Sequence, residues 1–260
     1  MIVGGGPAGM ETARVAGLRG HQVTLYEKSH RLGGVSLPKD NPPFKKELES
    51  IPRYYSAQLK RLNATVRLEE KVTPETIEGL KPDVVVVAEG GTWIVPDVPG
   101  IDGPHVAFAW DVLNERVEVG SRVLVVGGGL VGCEIALHLA FKGKKALLAT
   151  RRGKDGLAAD LNLVNRKAVV EEIEKAQVEV VENSEIHSIV EGSSTVEDRE
   201  GKKTKIEVDT VVVARGLKPN LELYNRVVEM GYEAYAIGDC GKPGDIGSAI
   251  REGYHLGRRL

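Results

Sequence analysis

Apolar residues gather in short blocks along this chain, each flanked by charge. The blocks fall at residues 65–68, 84–88, 122–126, 145–149, 178–181 and 210–214, and most are rich in valine. Blocks of this length and β-branched content predict strands, the valine-only ones buried on both faces. Stretches of helical character separate several of them, so the pattern alternates strand and helix and predicts parallel sheets covered by helices. Two regions break the rule. Residues 182–209 carry short alternating runs around GSS and REGKK, which predict a β-meander with exposed turns. The proline-rich PDVPGIDGP at 96–104 predicts a crossing between domains. The last 45 residues hold a loop (GLKPN, 216–220), a short strand ending in a Gly-Asp turn (YAIGD, 235–239) and a helix (246–260). They are too few for a core of their own, so they are expected to return to the first domain and complete its sheet.

Inside this pattern one unit occurs twice. Residues 1–28 read MIVGGGPAGMETARVAGLRGHQVTLYEK, and residues 124–151 read LVVGGGLVGCEIALHLAFKGKKALLATR; the two align without a gap. Each is strand, G-x-G-x-x-G, helix, glycine turn, strand. The first glycine (Gly4, Gly127) permits a tight turn. The second (Gly6, Gly129) lets a pyrophosphate approach the backbone, and the third (Gly9, Gly132) lets helix and strand pack closely. The residues inside each loop, Pro7 and Ala8 or Leu130 and Val131, open a helix whose N-terminus offers N–H groups to phosphate. The fold class read from these features is α/β with two Rossmann-like dinucleotide-binding domains, the second inserted in the first. The expected boundaries are 1–103 with 216–260 for the first domain and 104–215 for the insert.

The two copies differ where their second strands end. The first ends in Glu27, 23 residues after Gly4, where a carboxylate accepts the hydroxyls of an adenosine ribose. Lys28, Arg31, Gly33 and Gly34 follow, a second glycine turn expected over the same pyrophosphate. The second copy has Thr150 at the same offset, followed by Arg151 and Arg152. Losing the acid removes repulsion of a 2′-phosphate, and guanidinium groups suit phosphate as bidentate partners. NADPH is therefore expected there in preference to NADH.

Composition narrows the function classes. The 35 basic and 37 acidic residues give a net charge of −2, so nothing points to nucleic acid or a membrane surface. The longest valine run is far short of a membrane span. With no signal-peptide pattern ahead of the first motif, a cytoplasmic protein is expected. Cys133 and Cys240 form no CxxC; Cys133 is expected to be packed, Cys240 either to face a bound cofactor beside Asp239 or to be a small buried filler, and His138 and Trp110 to be core or interface residues; the histidine spacings suggest no metal site.

Taken together, GGGPAG, KPDVVVVA, GGGLVGCE, GLKPN and GYEAYAIGDC span essentially the whole chain. They resemble the C-terminal flavin and nucleotide portion of the 2,4-dienoyl-CoA reductase and NADH:flavin oxidoreductase proteins, relatives of trimethylamine dehydrogenase. The resemblance implies FAD in the first domain and NAD(P)H in the insert, with a hydride passed from NADPH to FAD and electrons sent onward. It adds Val72, Ala88, Glu89, Gly90, Gly216, Gly238, Asp239, Ile246 and Ala249 to the cofactor-binding candidates, with Asp239 at the ribityl chain and Ile246 near the flavin ring. No catalytic acid or base is expected, because hydride transfer asks the protein for position and electrostatics. The sequence departs from the family at Glu89, where threonine is usual, and at Arg215. Only Met1, Ile2 and Val3 precede Gly4, and the family's FMN- and iron–sulfur-bearing barrel has no counterpart here. The chain is thus expected to be part of a longer enzyme, or to serve a separate electron-accepting subunit. The rival expectation is a structural module that holds ADP or FAD without chemistry.

Overall fold

The computed structural model describes residues 1–36 and 43–260. It divides into two compact units, one made of Met1–Pro38, Pro43–Thr92 and Leu217–Leu260, the other built on Trp93–Gly216.

The sheet of the first unit runs Glu233–Ala236, Val84–Val87, Ile2–Val3, Thr24–Glu27, Thr65–Leu68 from edge to edge. Every pairing is parallel. Val84–Val87 shows why an all-valine block suits a central position. Val86 joins a cluster with Ala8, Met10, Ala13 and Leu256 on one face. Val85 and Val87 join Tyr26, Ile77, Leu223 and Val227 on the other. Alternate side chains point to opposite faces, so both phases of the strand must be apolar. The C-terminal strand pairs with Val84–Val87, and the helix after it, Ile246–Gly257, lies on the first motif helix, Pro7–Leu18. Two glycines make that approach possible: a Cβ at Gly253 would sit 2.5 Å from the Ala8 carbonyl oxygen, and one at Gly257 would sit 2.8 Å from Val15 Cβ. The Thr12 hydroxyl lies between the helices, 2.9 Å from Ala8 O and 3.3 Å from Gly253 O.

The second unit repeats the scheme with one change. Its sheet runs Val106–Phe108, Thr210–Val213, Arg122–Val126, Lys145–Ala149, Glu179–Val181, all parallel. The helices Leu130–Phe141 and Leu163–Lys175 supply Ile135, Leu139 and Ile173 to the core on one face, against Val123, Val125 and Leu148. The other face is covered by an antiparallel meander, Ser184–Val190, Ser193–Asp198 and Lys203–Glu207. Its inward residues Ile186, Ile189, Val196 and Ile206 meet Leu124, Val126 and Leu147. Residues 93–103, read from sequence as part of the first domain, lie in this second unit. Val98 and Ile101 pack on the meander's core, and Ile189 N donates to Pro99 O at 2.9 Å. These contacts, with both side chains half-buried, tie the proline-rich segment to the second unit.

Candidate dinucleotide sites

In the first unit the three motif glycines have separate physical roles. Gly4 adopts φ +110°, and a Cβ there would collide with the Ala88 carbonyl. A Cβ at Gly9 would collide with the Gly4 carbonyl. At Gly6, by contrast, nothing among the described residues lies within 4 Å of where a Cβ would stand. Two positions are filled by backbone and one is open, which is the space a pyrophosphate requires. No side chain caps the helix that begins at Pro7, so the N–H groups of Ala8 and Gly9 remain available to an anion. The Arg31–Gly34 turn folds onto this loop: Gly33 N donates to Gly5 O at 2.9 Å, and a Cβ at Gly34 would lie 3.2 Å from Gly6 Cα. Glu27 is buried, its Oε2 accepting from Gly5 N at 2.7 Å and its Oε1 from Ser29 N at 2.8 Å. These bonds fix the carboxylate beside the loop and leave each oxygen a further lone pair. Lys28 and Arg31 stand on the exposed side of the same turn.

The resemblance-derived candidates of this unit fall into four groups. Ala88 and Gly90 flank the loop, Ala88 through its contact with Gly4 and Gly90 through a turn at φ +81°. Between them burial pushes the Glu89 carboxyl up from its ordinary value, opposed by Lys28 and Lys71. Asp239 is raised by burial too, although its Oδ1 accepts from Gly244 N at 2.9 Å. Gly238 N donates to Glu252 Oε2 at 2.8 Å, which fixes that turn. Ile246 and Ala249 begin a helix whose cap is the chain's own Asp245, accepting from Ser248 N at 2.6 Å. Val72 is buried in the core with Tyr26 and Ile77.

The second unit reproduces the glycine geometry. Gly127 turns at φ +126° against the Ala214 carbonyl, and a Cβ at Gly132 would collide with the Gly127 carbonyl. Beside Gly129 the nearest atoms are the Asp160 carboxylate oxygens, 3.8 and 3.9 Å from where a Cβ would stand. A cavity of about 300 Å³ opens here, lined by Gly127–Val131, Thr150–Arg152, Asp160, Glu185 and the Arg215–Gly216 corner. Thr150 is buried, and its Oγ1 accepts from Arg152 N at 3.2 Å, the same two-residue reach that Glu27 makes to Ser29. Arg151 Nε pairs with Glu185 Oε1 at 3.0 Å. Asp160 is the unexpected group. Both its oxygens face Leu130 N, at 3.0 and 3.2 Å, so a carboxylate of the chain caps the helix where a phosphate is expected. The equivalent residue of the first copy is Pro7, which has no N–H to cap.

Both cysteines are free, buried thiols. Burial pushes Cys133 up to about 12 and Cys240 up to about 11. Cys240 Sγ donates to Asn220 O at 2.9 Å. Among the described residues no group of three or more histidine, cysteine, aspartate or glutamate side chains could hold a metal. No described helix is long and apolar enough to cross a membrane.

Comparison with known proteins agrees with this geometry. The family model for pyridine nucleotide-disulphide oxidoreductases matches residues 1–253. Bilirubin reductase of Mediterraneibacter gnavus is 36% identical over 255 residues, covering 98% of this chain and 39% of that protein. Cinnamate reductase of Clostridium sporogenes is 34% identical over 261 residues, covering 100% of this chain and 39% of its own length. The solved structure of a 2-naphthoyl-CoA reductase complex superposes with a TM-score of 0.92 at 32% identity, over 100% of this chain and 39% of that one. The chain thus spans about two fifths of the length of the relatives it matches. The resemblance drawn from the motifs, to the C-terminal flavin and nucleotide portion of the 2,4-dienoyl-CoA reductase and NADH:flavin oxidoreductase proteins, holds.

Proposed function

The chain belongs to the pyridine nucleotide-disulphide oxidoreductase family, and from that premise we propose that it is the flavin-reducing module of a larger oxidoreductase. In this reading the unit containing Gly4–Gly9 and the C-terminal segment is the FAD domain, and the unit built on Trp93–Gly216 is an inserted NAD(P)H domain. One observation carries it: the same division of three glycines, two against backbone carbonyls and one with no backbone in its way, recurs in both units.

Glu27 would hold the adenosine ribose of FAD, with Gly33–Gly34 closing over the pyrophosphate. Asp239, fixed in its turn by Gly244 and indirectly by Glu252, would meet the ribityl chain. When bound, the nicotinamide supplies a hydride and the flavin accepts it, so the chain's residues have to orient and exclude water rather than move protons. In the second unit Thr150 removes the carboxylate that would repel a 2′-phosphate, and Arg151 and Arg152 supply cations beside it; NADPH is the proposed donor, NADH the weaker one. The electrons then pass to a partner domain or subunit. The relatives are named as reductases of bilirubin, cinnamate and 2-naphthoyl-CoA, and the acceptor of this enzyme belongs to that missing part.

A second reading, a module that holds ADP or FAD without turnover, is favoured by Asp160 on the helix of the second cradle and by Glu89 close to Glu27. Visible absorbance separates the two. A yellow protein bleached anaerobically by NADPH supports the enzyme; a colourless protein that releases ADP on denaturation supports the module. In the enzyme, an Arg151→Ala, Arg152→Ala double variant should lose about 100-fold in NADPH affinity and keep its affinity for NADH. Equal losses for both nucleotides would remove the basic turn from the reading.

A further inference from the structure

The turn that carries Thr150, Arg151 and Arg152 is not an isolated strand end. Ser184 N donates to Thr150 O at 2.8 Å and Asn183 N to Arg152 O at 3.3 Å, so the first meander strand grows directly out of the turn. Across that strand Ser184 pairs with Asp198 and Glu185 with Glu197, which brings the hairpin end beside the arginines. Arg199, the next residue, donates from Nη2 to Arg151 O at 3.0 Å. These groups border a recess of about 660 Å³ that shares Arg151, Arg152 and Glu185 with the nucleotide cavity.

Three arginines (Arg151, Arg152, Arg199) and three carboxylates (Glu185, Glu197, Asp198) line this recess, but they are not matched one to one. Glu197 is engaged with His187 Nδ1 at 2.9 Å. Asp198 Oδ1 accepts from Glu200 N and Lys202 N, each at 2.9 Å, and closes the hairpin turn. Glu185 is held by Arg151. Among the described residues Arg152 and Arg199 then have no carboxylate within ion-pair distance. Arg199 spends one of its five N–H donors on Arg151 O, which anchors the guanidinium and leaves the others for an anion. A phosphate beside Thr150 would give these two guanidinium groups a direct counter-ion.

We propose that the meander hairpin completes the 2′-phosphate subsite: Arg199 is a third guanidinium for that phosphate, and Glu185 is the acid it displaces from Arg151. The proposal rests on the NADPH reading of the Thr150–Arg152 turn. It makes nucleotide choice a property of two elements nearly 50 residues apart, and it gives Glu185 a role in selectivity, since the ion pair must open before phosphate can bind Arg151 on both sides.

Calorimetric titration of the full chain with adenosine 2′,5′-bisphosphate and with AMP tests it without any flavin turnover. Arg199→Ala should weaken the bisphosphate about tenfold and leave AMP unchanged, as expected for loss of one charge-assisted contact. Glu185→Gln should strengthen the bisphosphate about threefold, again with AMP unchanged, as expected for release of one exposed ion pair. Arg199→Lys, which keeps the charge but not the fork, should fall between wild type and alanine. A wild type that binds both probes equally overturns the NADPH reading and this proposal together. A wild type that prefers the bisphosphate, with Arg199→Ala unchanged or weakened equally for both probes, overturns this proposal alone.

Discussion

At the scale of single residues, the two cradles separate what a backbone demands from what a side chain adds. Asp160 is the sharpest case. Its carboxylate caps the second motif helix from 30 residues away, in the place where the dinucleotide's own negative charge is expected. An incoming pyrophosphate has to displace it. Asp160→Asn keeps an oxygen able to accept from Leu130 N but removes the charge, so dinucleotide affinity should rise two- to fivefold, about the value of one charge near a helix end. Titration with NADP⁺ measures it, and a fall in affinity would show instead that Asp160 assists the ligand. None of this was legible in sequence. Asp160, Arg199 and Glu252 act on partners 30, 48 and 14 residues away, and nothing in their immediate neighbourhood distinguishes them from surface acids and bases. Glu27 and Thr150 were legible because a repeat fixed their distance from a glycine.

At the scale of elements, legibility follows from backbone requirement. The strands at 65–68, 122–126 and 145–149 stand where the apolar blocks put them, and the valine blocks at 84–88 and 210–214 end one residue early. The last helix stops at Gly257 and the strand before it starts at Glu233, because sheet pairing with Val84–Val87 rather than local pattern sets that strand. The glycine spacing was readable for the same reason: only glycine fits positions whose Cβ would enter a carbonyl. This yields a contrast within one loop. Gly132→Ala should lower stability by about 1–3 kcal/mol or more, since the new methyl meets the Gly127 carbonyl and the backbone must shift. Gly129→Ala, with no atom nearer than 3.8 Å, should unfold at nearly the wild-type temperature and lose dinucleotide affinity. Thermal unfolding paired with nucleotide titration checks both; equal unfolding shifts would contradict the assigned roles.

At the scale of the whole chain, the described residues form two compact units, each with one glycine cradle. The purified 260-residue chain should therefore reduce artificial electron acceptors with NADPH and leave an enoyl thioester untouched. Chromatographic detection of the saturated thioester would show that the chain carries its own substrate site. What sequence alone misplaced at this scale was the junction between units. PDVPGIDGP looks like a linker because it is rich in turn formers, yet Val98 and Ile101 are half-buried against the core beneath the meander. Composition reports how a segment bends, whereas burial decides which body it joins.

The pairing of Glu233–Ala236 with Val84–Val87, and of Thr12 with Gly253 across 241 positions, has a consequence for how the polypeptide matures. The second unit is encoded almost in one piece and can close as soon as Gly216 has left the ribosome. The first unit has by then been waiting since Thr92, its central valine strand bare along one edge and its motif helix uncovered. During synthesis the cradle at Gly127–Gly132 is thus completed before the one at Gly4–Gly9, which waits for the helix Ile246–Gly257 to cover it.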